Sequence, residues 1–183
     1  MLHSNKPNIA ASRANYAKHA DFCDIFKNDT TPLYLLAFLL TGNHKESEQC
    51  FILTLEEALK KQAVFKEWAR PWVKRRLLEN AIEIVSPASA RNGRKRDLWG
   101  AGPHETQREY YVDAVTRLAP FERFVFVMSI LERCSSWDCS LLLGCSKNQV
   151  AQARMEALRR LPEFAALFPR GDGLSLRRRE VTA

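Results

Sequence analysis

Long apolar runs are missing from this sequence. The longest, Leu33 to Leu40, falls far short of the run of about 20 that a membrane-spanning helix needs, so no membrane segment is expected. The stretch from Met1 through Asn5 and Lys6 to Ala20 has polar residues scattered throughout and lacks the apolar core of a secretory signal, which makes the cytoplasm the expected compartment. Five cysteines, Cys23, Cys50, Cys134, Cys139 and Cys145, are an odd number at wide spacings with no C-x-x-C pair. They read as reduced thiols acting as small core residues; a redox sensor built on Cys134, Cys139 and Cys145 is the less favoured alternative. The four histidines, His3, His19, His44 and His104, are scattered, and no Ser/His/Asp arrangement, metal-ligand spacing or Gly-rich phosphate loop occurs. An enzyme is therefore not expected, nor a metal, a cofactor or a small-molecule substrate. Strand-like alternation is absent too, which points to an all-α fold.

What the chain does have is a globular composition, 46% hydrophobic and 27% charged over 183 residues, enough to build a core and too apolar for wholesale disorder. The net charge of +7 is unevenly spread. Residues 1–31, 32–85 and 112–168 each carry an excess of one positive charge, whereas 86–111 and 169–183 each carry an excess of two. Residues 86–111 combine Ser86, Pro87, Gly93 and the Gly100–Pro103 stretch with the basic run Arg91 to Arg96, and they read as a flexible linker. The expected organisation is an N-terminal extension (1–31), a helical domain (32–85), the basic linker (86–111), a second helical domain (112–168) and a basic tail (169–183). In the extension, Tyr16, Phe22, Ile25 and Phe26 suggest a short extra helix packed on the front domain.

Helical spacing is clear in both domains. Leu33, Leu36, Ala37 and Leu40 share one face, Gly42 suits a left-handed C-terminal cap, and Asn43 with Glu46 three residues later opens the next helix. That second helix carries Phe51, Leu55, Ala58 and Leu59. A third runs from Glu67 or Pro71 to Ile84, with Trp68, Trp72, Leu77, Ala81 and Ile84 as its expected buried stripe. Pro71 kinks this helix if it starts at Glu67 and is harmless if it lies in the first turn.

Behind the linker, a short helix is expected near Val112 to Leu118. Pro120 opens another, with Phe121, Phe124, Val125, Met128 and Leu131 at spacings of three and four. Ser135 and Asp138 supply a cap and an acidic first turn. Gly144 then permits a tight turn, and Ser146 with Gln149 forms a capping box that opens a helix ending at Leu161 and Pro162. Ser140, Gly144 and Val150 fit the small, turn and core positions of a helix-turn-helix, whose second helix enters the DNA major groove. Lys147, Asn148, Gln149, Gln152 and Arg159 are expected on its outer face, where Asn and Gln pair with adenine and Lys reaches guanine or phosphate. Ala151 and Ala153 are expected gaps in that face, and Arg154, Arg159 and Arg160 are additional candidates for phosphate contact.

The stretch Leu35–Asn43 followed by Glu46-Ser47-Glu48 resembles the start of the second conserved region of sigma-70-family RNA polymerase sigma factors of the extracytoplasmic-function type. Leu118–Val127 and Leu142–Val150 are similar to their fourth region, in the same order. The resemblance spans roughly residues 32–85 and 112–162. It implies two small helical domains, a region 2-like bundle and a region 4-like helix-turn-helix, with core RNA polymerase and promoter DNA as partners. It also admits an anti-sigma factor. By position it places Glu46, Glu48 and Gln49 on the acidic polymerase-binding motif, and Lys147, Asn148, Gln149 and Gln152 on the recognition helix. Two departures stand out: Gln49 and Ile52 where an acid and a Gln are usual, and Pro71 in the helix that ordinarily opens the promoter.

In that helix, Lys74, Arg75 and Arg76 are the candidates for contact with the DNA backbone, and Trp68 and Trp72 are candidates for stacking on a flipped base. The resulting expectation is a sigma-like initiation factor that binds core polymerase and promoter DNA. The alternative is a degenerate homologue that keeps the fold as a protein-binding regulator or polymerase competitor.

Overall fold

The computed structural model describes residues 15–61, 63–87 and 107–162. Among these the chain is all-α, with eight α-helices and a single isolated β-bridge. The helices are α1 (His19–Asn28), α2 (Thr30–Thr41), α3 (His44–Lys60), α4 (Ala69–Val85), α5 (Gln107–Thr116), α6 (Pro120–Phe126), α7 (Ser136–Leu142) and α8 (Lys147–Arg160). No helix among the described residues is long and apolar enough to cross a membrane. The basic run Arg91 to Arg96 and the tail from 169 lie outside the described residues. The helix expected near Val112 begins earlier, at Gln107.

The extra helix of the N-terminal extension is present as α1. Its Phe22 and Phe26 are buried and meet Trp72 and Phe51 edge-on, with ring centroids 5.8 and 5.4 Å apart. Just before it, Tyr16 stacks on Phe65 at 4.7 Å and pairs with it in the β-bridge, tying the start of the described chain to the loop between α3 and α4. α2 ends as its sequence dictates: Gly42 adopts φ 77° and its N–H reaches Phe38 O at 2.7 Å, the left-handed cap that a Cβ disfavours. Asn43 Oδ1 then accepts from Glu46 N at 2.9 Å to start α3.

The seam between α3 and α4 is more polar than periodicity alone suggests. α3 buries Ser47, Cys50, Thr54 and Ala58, while Phe51, Leu55 and Leu59 are only partly covered. Asn80, itself buried, donates to Thr54 Oγ1 (3.1 Å) and Glu57 Oε2 (2.9 Å), and Arg76 grips Glu57 with two bonds of 2.6 and 2.7 Å. These bonds satisfy groups that would otherwise oppose burial.

α4 starts at Ala69, after a 3₁₀ turn at Lys66–Trp68, so Pro71 sits in the first helical turn and forces no kink. Its missing N–H is one that no helix could have used. The start of the helix also moves Trp68 out of the expected stripe, and the side chain is 62% exposed. Ala69, Val73, Leu77, Leu78, Asn80 and Ala81 form the buried face instead, with Trp72 and Ile84 packed at its margin.

In the second half, α6 continues into a π-helical turn at Val127–Leu131, and every residue from Arg123 to Met128 is buried. Such a segment has no solvent face and must be covered on all sides. α8 and α7 cover part of it, and α2 of the front half packs on it as well. α2 has the same character, burying Leu33, Leu36, Ala37, Leu39, Leu40 and Thr41. The two halves therefore meet along α2, which packs against α5, α6 and the π-helical turn.

Arg123 lies at the centre of this junction, 1% exposed. Its Nε donates to Leu40 O (3.0 Å) and its Nη2 to Thr41 O (3.1 Å), while Nη1 donates to Thr116 O (3.0 Å) and Leu118 O (3.5 Å). The guanidinium thus caps the last carbonyls of α2, where the helix dipole favours positive charge, and joins them to the end of α5.

Candidate nucleic-acid interface

The helix-turn-helix is built by local signals that the sequence carries openly. Ser135 Oγ accepts from Asp138 N at 3.0 Å to start α7. Leu143-Gly144-Cys145 makes the turn, with Gly144 at φ 60°. Ser146 then closes a full capping box, its Oγ accepting from Gln149 N (3.2 Å) while Gln149 Oε1 accepts from Ser146 N (2.9 Å). Val150, Ala153, Ala157 and Leu161 turn inward along α8 and its end. The small buried residue of α7 is Cys139, one position before Ser140, which is half-buried and donates to Trp137 O at 3.0 Å.

This geometry sorts the candidate readers. Lys147, Asn148 and Gln152 are exposed on the outer face of α8, together with Ala151, Arg154 and Met155. Gln149 is half-buried with its carbonyl engaged in the capping box. Ala153 is buried, so it is a core residue and not a gap in the outer face; Ala151 alone is such a gap. Arg159 is held by Glu156 through bonds of 3.2 and 2.7 Å. Arg160 bridges Glu156 (3.1 Å) and Glu122 (3.0 Å), which fastens the end of α8 to the start of α6. Glu122 is largely withdrawn from water, and burial raises its carboxyl above the usual range despite the neighbouring Arg160.

The three basic candidates of α4 all meet carboxylates. Lys74 Nζ lies 2.8 Å from Glu132 Oε2, across the junction between the halves. Arg75 pairs with Glu79 at 3.1 Å on its own helix, and Arg76 binds Glu57 and Glu79 together. The Arg76 bonds hold the Glu57 carboxyl below its ordinary range. Arg76 is thereby a brace between α3 and α4, and Lys74, still substantially exposed, is the one whose ion pair is a single contact across the junction.

The residues expected from the resemblance to meet a polymerase, Glu46, Glu48 and Gln49, lie on the first turns of α3. Glu48 and Gln49 are exposed and Glu46 is half-buried. Ile52, 52% exposed, and Leu53 follow one turn on, so the acidic residues border a small apolar strip. The loop between α3 and α4 presents Phe65 and Trp68 to solvent, with Trp68 Nε1 bonded to Glu67 at 2.9 Å. Lys61 lies over the Trp72 ring, 5.8 Å from its centroid. Of the two readings that the sequence offered for Trp68, buried stripe and base-stacking candidate, the exposure excludes the first, while Trp72 packs at the margin of the core; Phe65 was not singled out by periodicity.

Two of the five cysteines are core residues, while Cys23, Cys134 and Cys145 are only partly buried. Cys50 and Cys139 are buried, and burial pushes each thiol up to about 12. Burial also raises Cys134. Such thiols stay protonated and are poor nucleophiles at neutral pH.

No protein-family model and no curated protein matches the chain.

Proposed function

We propose that this protein is a sigma-like transcription initiation factor, binding core RNA polymerase through the first turns of α3 and promoter DNA through α8. The observation that carries the reading is the helix-turn-helix. A box-capped α8 follows a Gly144 turn and carries Lys147, Asn148 and Gln152 outward while Val150 and Ala153 anchor it inward. Asn and Gln amides pair with adenine edges, and Lys supplies a phosphate or guanine contact. The face of Glu46, Glu48, Gln49 and Ile52 supports a protein partner with a basic, partly apolar surface, since complementary charge orients the encounter. Trp68 adds an exposed aromatic side chain suited to stacking an unpaired base, beside a Phe65 whose ring is already stacked on Tyr16.

The test is transcription directed by the purified protein with core polymerase on its cognate promoter. Lys147→Ala combined with Gln152→Ala should abolish promoter-specific initiation while leaving the fold intact. Undiminished initiation would refute the assignment of α8.

A second reading, a degenerate homologue that binds polymerase without reading a promoter, is favoured by the occupied state of Lys74, Arg75 and Arg76. It retains polymerase binding and lacks sequence-specific DNA binding, so the same preparation decides between the two.

A further inference from the structure

We propose that Arg133 is a phosphate contact for duplex DNA, a guanidinium held beside the first helix of the helix-turn-helix at the expense of folding stability. It rests on the DNA-binding reading above and adds to α8 a contact that lies outside it.

The backbone sets Arg133 apart. It has φ 56° and directly follows the π-helical turn, whose end is closed by Glu132 N on Val127 O (2.9 Å) and Cys134 N on Met128 O (2.8 Å). Just beyond a helix, glycine ordinarily makes this left-handed turn, because a Cβ is strained there. Ala63 and Ser86 also have positive φ among the described residues, but their side chains are short and uncharged; Arg133 alone brings a cation.

Nothing within the described fold offsets that strain. Arg133 is exposed and has no hydrogen-bond or ion-pair partner among the described residues. Complementing the dipole of the preceding helix requires only a cation in its last turn, on ordinary right-handed backbone, so the dipole does not explain the placement. The carboxylates on either side are engaged elsewhere, Glu132 with Lys74 at 2.8 Å and Asp138 with the Ser135 hydroxyl at 2.5 Å. Strained residues of this kind concentrate at functional sites.

Among the described side chains of the second half, the cations fall into two sets. Arg117, Arg159 and Arg160 are ion-paired and Arg123 is buried, whereas Arg133, Lys147 and Arg154 are exposed and carry no ion pair. All of this second set flanks or lies on the helix-turn-helix: Arg133 just precedes the Ser135 cap of α7, and Lys147 and Arg154 are on α8. When the second helix of such a unit enters the major groove, the first crosses the DNA backbone. A cation at the start of that first helix then meets phosphate, which binds guanidinium through paired, charge-assisted hydrogen bonds.

The experiment uses the full chain, with urea unfolding for stability and fluorescence anisotropy on a mixed-sequence duplex across a salt series. Arg133→Gly should raise the folding equilibrium constant by about two- to fivefold, the relief of strain exceeding the added freedom of the unfolded chain. The same variant should bind duplex about tenfold more weakly at low salt and lower the slope of log affinity against log salt by about 0.9, the share of one phosphate contact. Because it is the more stable chain, lost folding cannot explain its lost binding. Arg133→Lys keeps both the strain and the charge and should match the parent in stability and slope. Lys27→Ala, which removes an exposed cation of α1, should leave the slope unchanged; an equal fall there would assign the effect to net charge and overturn the contact. A glycine variant that binds as the parent does, while Lys147→Ala lowers the slope, overturns the Arg133 contact alone. A glycine variant no more stable than the parent overturns the claim that stability is given up for it. A parent that binds no duplex overturns the contact together with the DNA-binding reading.

Discussion

The guanidinium of Arg123 rests against the backbone of Gly42, within 2.9 Å of where a Cβ would stand. One residue ends α2 and the other reaches it from α6, 81 positions later in sequence, so the helix cap of the front half is completed by a side chain from the rear. Replacing Arg123 with Lys removes the planar fork and leaves several buried carbonyls without donors. At about 1 to 3 kcal/mol for each unsatisfied group, the loss should reach at least about 3 kcal/mol, measured by urea unfolding. A loss below about 1 kcal/mol would show that the junction contributes little to the folded state.

The bridge between α3 and α4 gives a second expectation. Arg76 holds Glu57 ionised below its ordinary range, and the stabilisation belongs to the ionised form. It is therefore fully present above the unfolded-state pKa of about 4.3 and is lost as pH falls through the lowered folded-state value. Glu57→Gln should be less stable than the parent at pH 7, with the gap closing on acidification. Because both side chains remain partly exposed, a double-mutant cycle with Arg76→Ala should give a coupling of about 1 kcal/mol or less at pH 7. A gap that widens at low pH would contradict the pairing.

Gln149 and Gln152 should separate cleanly. Gln149→Ala opens the capping box and should cost about 0.5 to 1 kcal/mol of stability. Gln152→Ala, on an exposed helical position, should leave stability within about 0.5 kcal/mol while weakening sequence preference on DNA. Thermal unfolding alongside binding to cognate and mutated duplexes checks both. Equal effects of the two substitutions on stability would remove the distinction.

Ala63 sits in the loop before α4 with φ 64°, a left-handed conformation in which a Cβ is strained. Ala63→Gly should stabilise the chain by up to about 1 kcal/mol, the relief of strain exceeding the added flexibility of the unfolded state. Chemical denaturation with an unchanged m-value is the measurement; destabilisation would contradict it.

Capping residues were the most legible part of the sequence, because each acts within three or four positions. Asn43, Gly42, Ser135 and Ser146 take their expected places, and Val150 faces inward as the helix-turn-helix spacing requires. The junction was harder to read. Leu33, Leu36, Ala37 and Leu40 mark one face of α2, but Leu39 is also buried, and likewise Phe126 and Val127 join Phe124 and Val125 in α6 and its π-helical continuation. Apolar residues around a whole helix say that it is enclosed without saying by what. Nor does sequence reveal that Arg123, a charged residue in a helix, turns inward: its partners are main-chain carbonyls, Thr116 and Leu118 nearby and Leu40 and Thr41 about 80 residues away, and carbonyls have no sequence signature. Trp68 and Ala153 were misassigned for a simpler reason, since a shift of the helix start or a rotation of one position exchanges exposed and buried faces.

Co-elution with core RNA polymerase on size exclusion, with a known sigma factor as competitor, tests the sigma-like reading most directly. A stable complex should form at micromolar concentration or below, be displaced by the competitor, and be weakened at least about tenfold by Glu48→Lys combined with Ile52→Ser, since the charge reversal and the loss of the apolar contact together remove complementarity. Failure to co-elute, or a complex indifferent to both the competitor and the α3 substitutions, would contradict it.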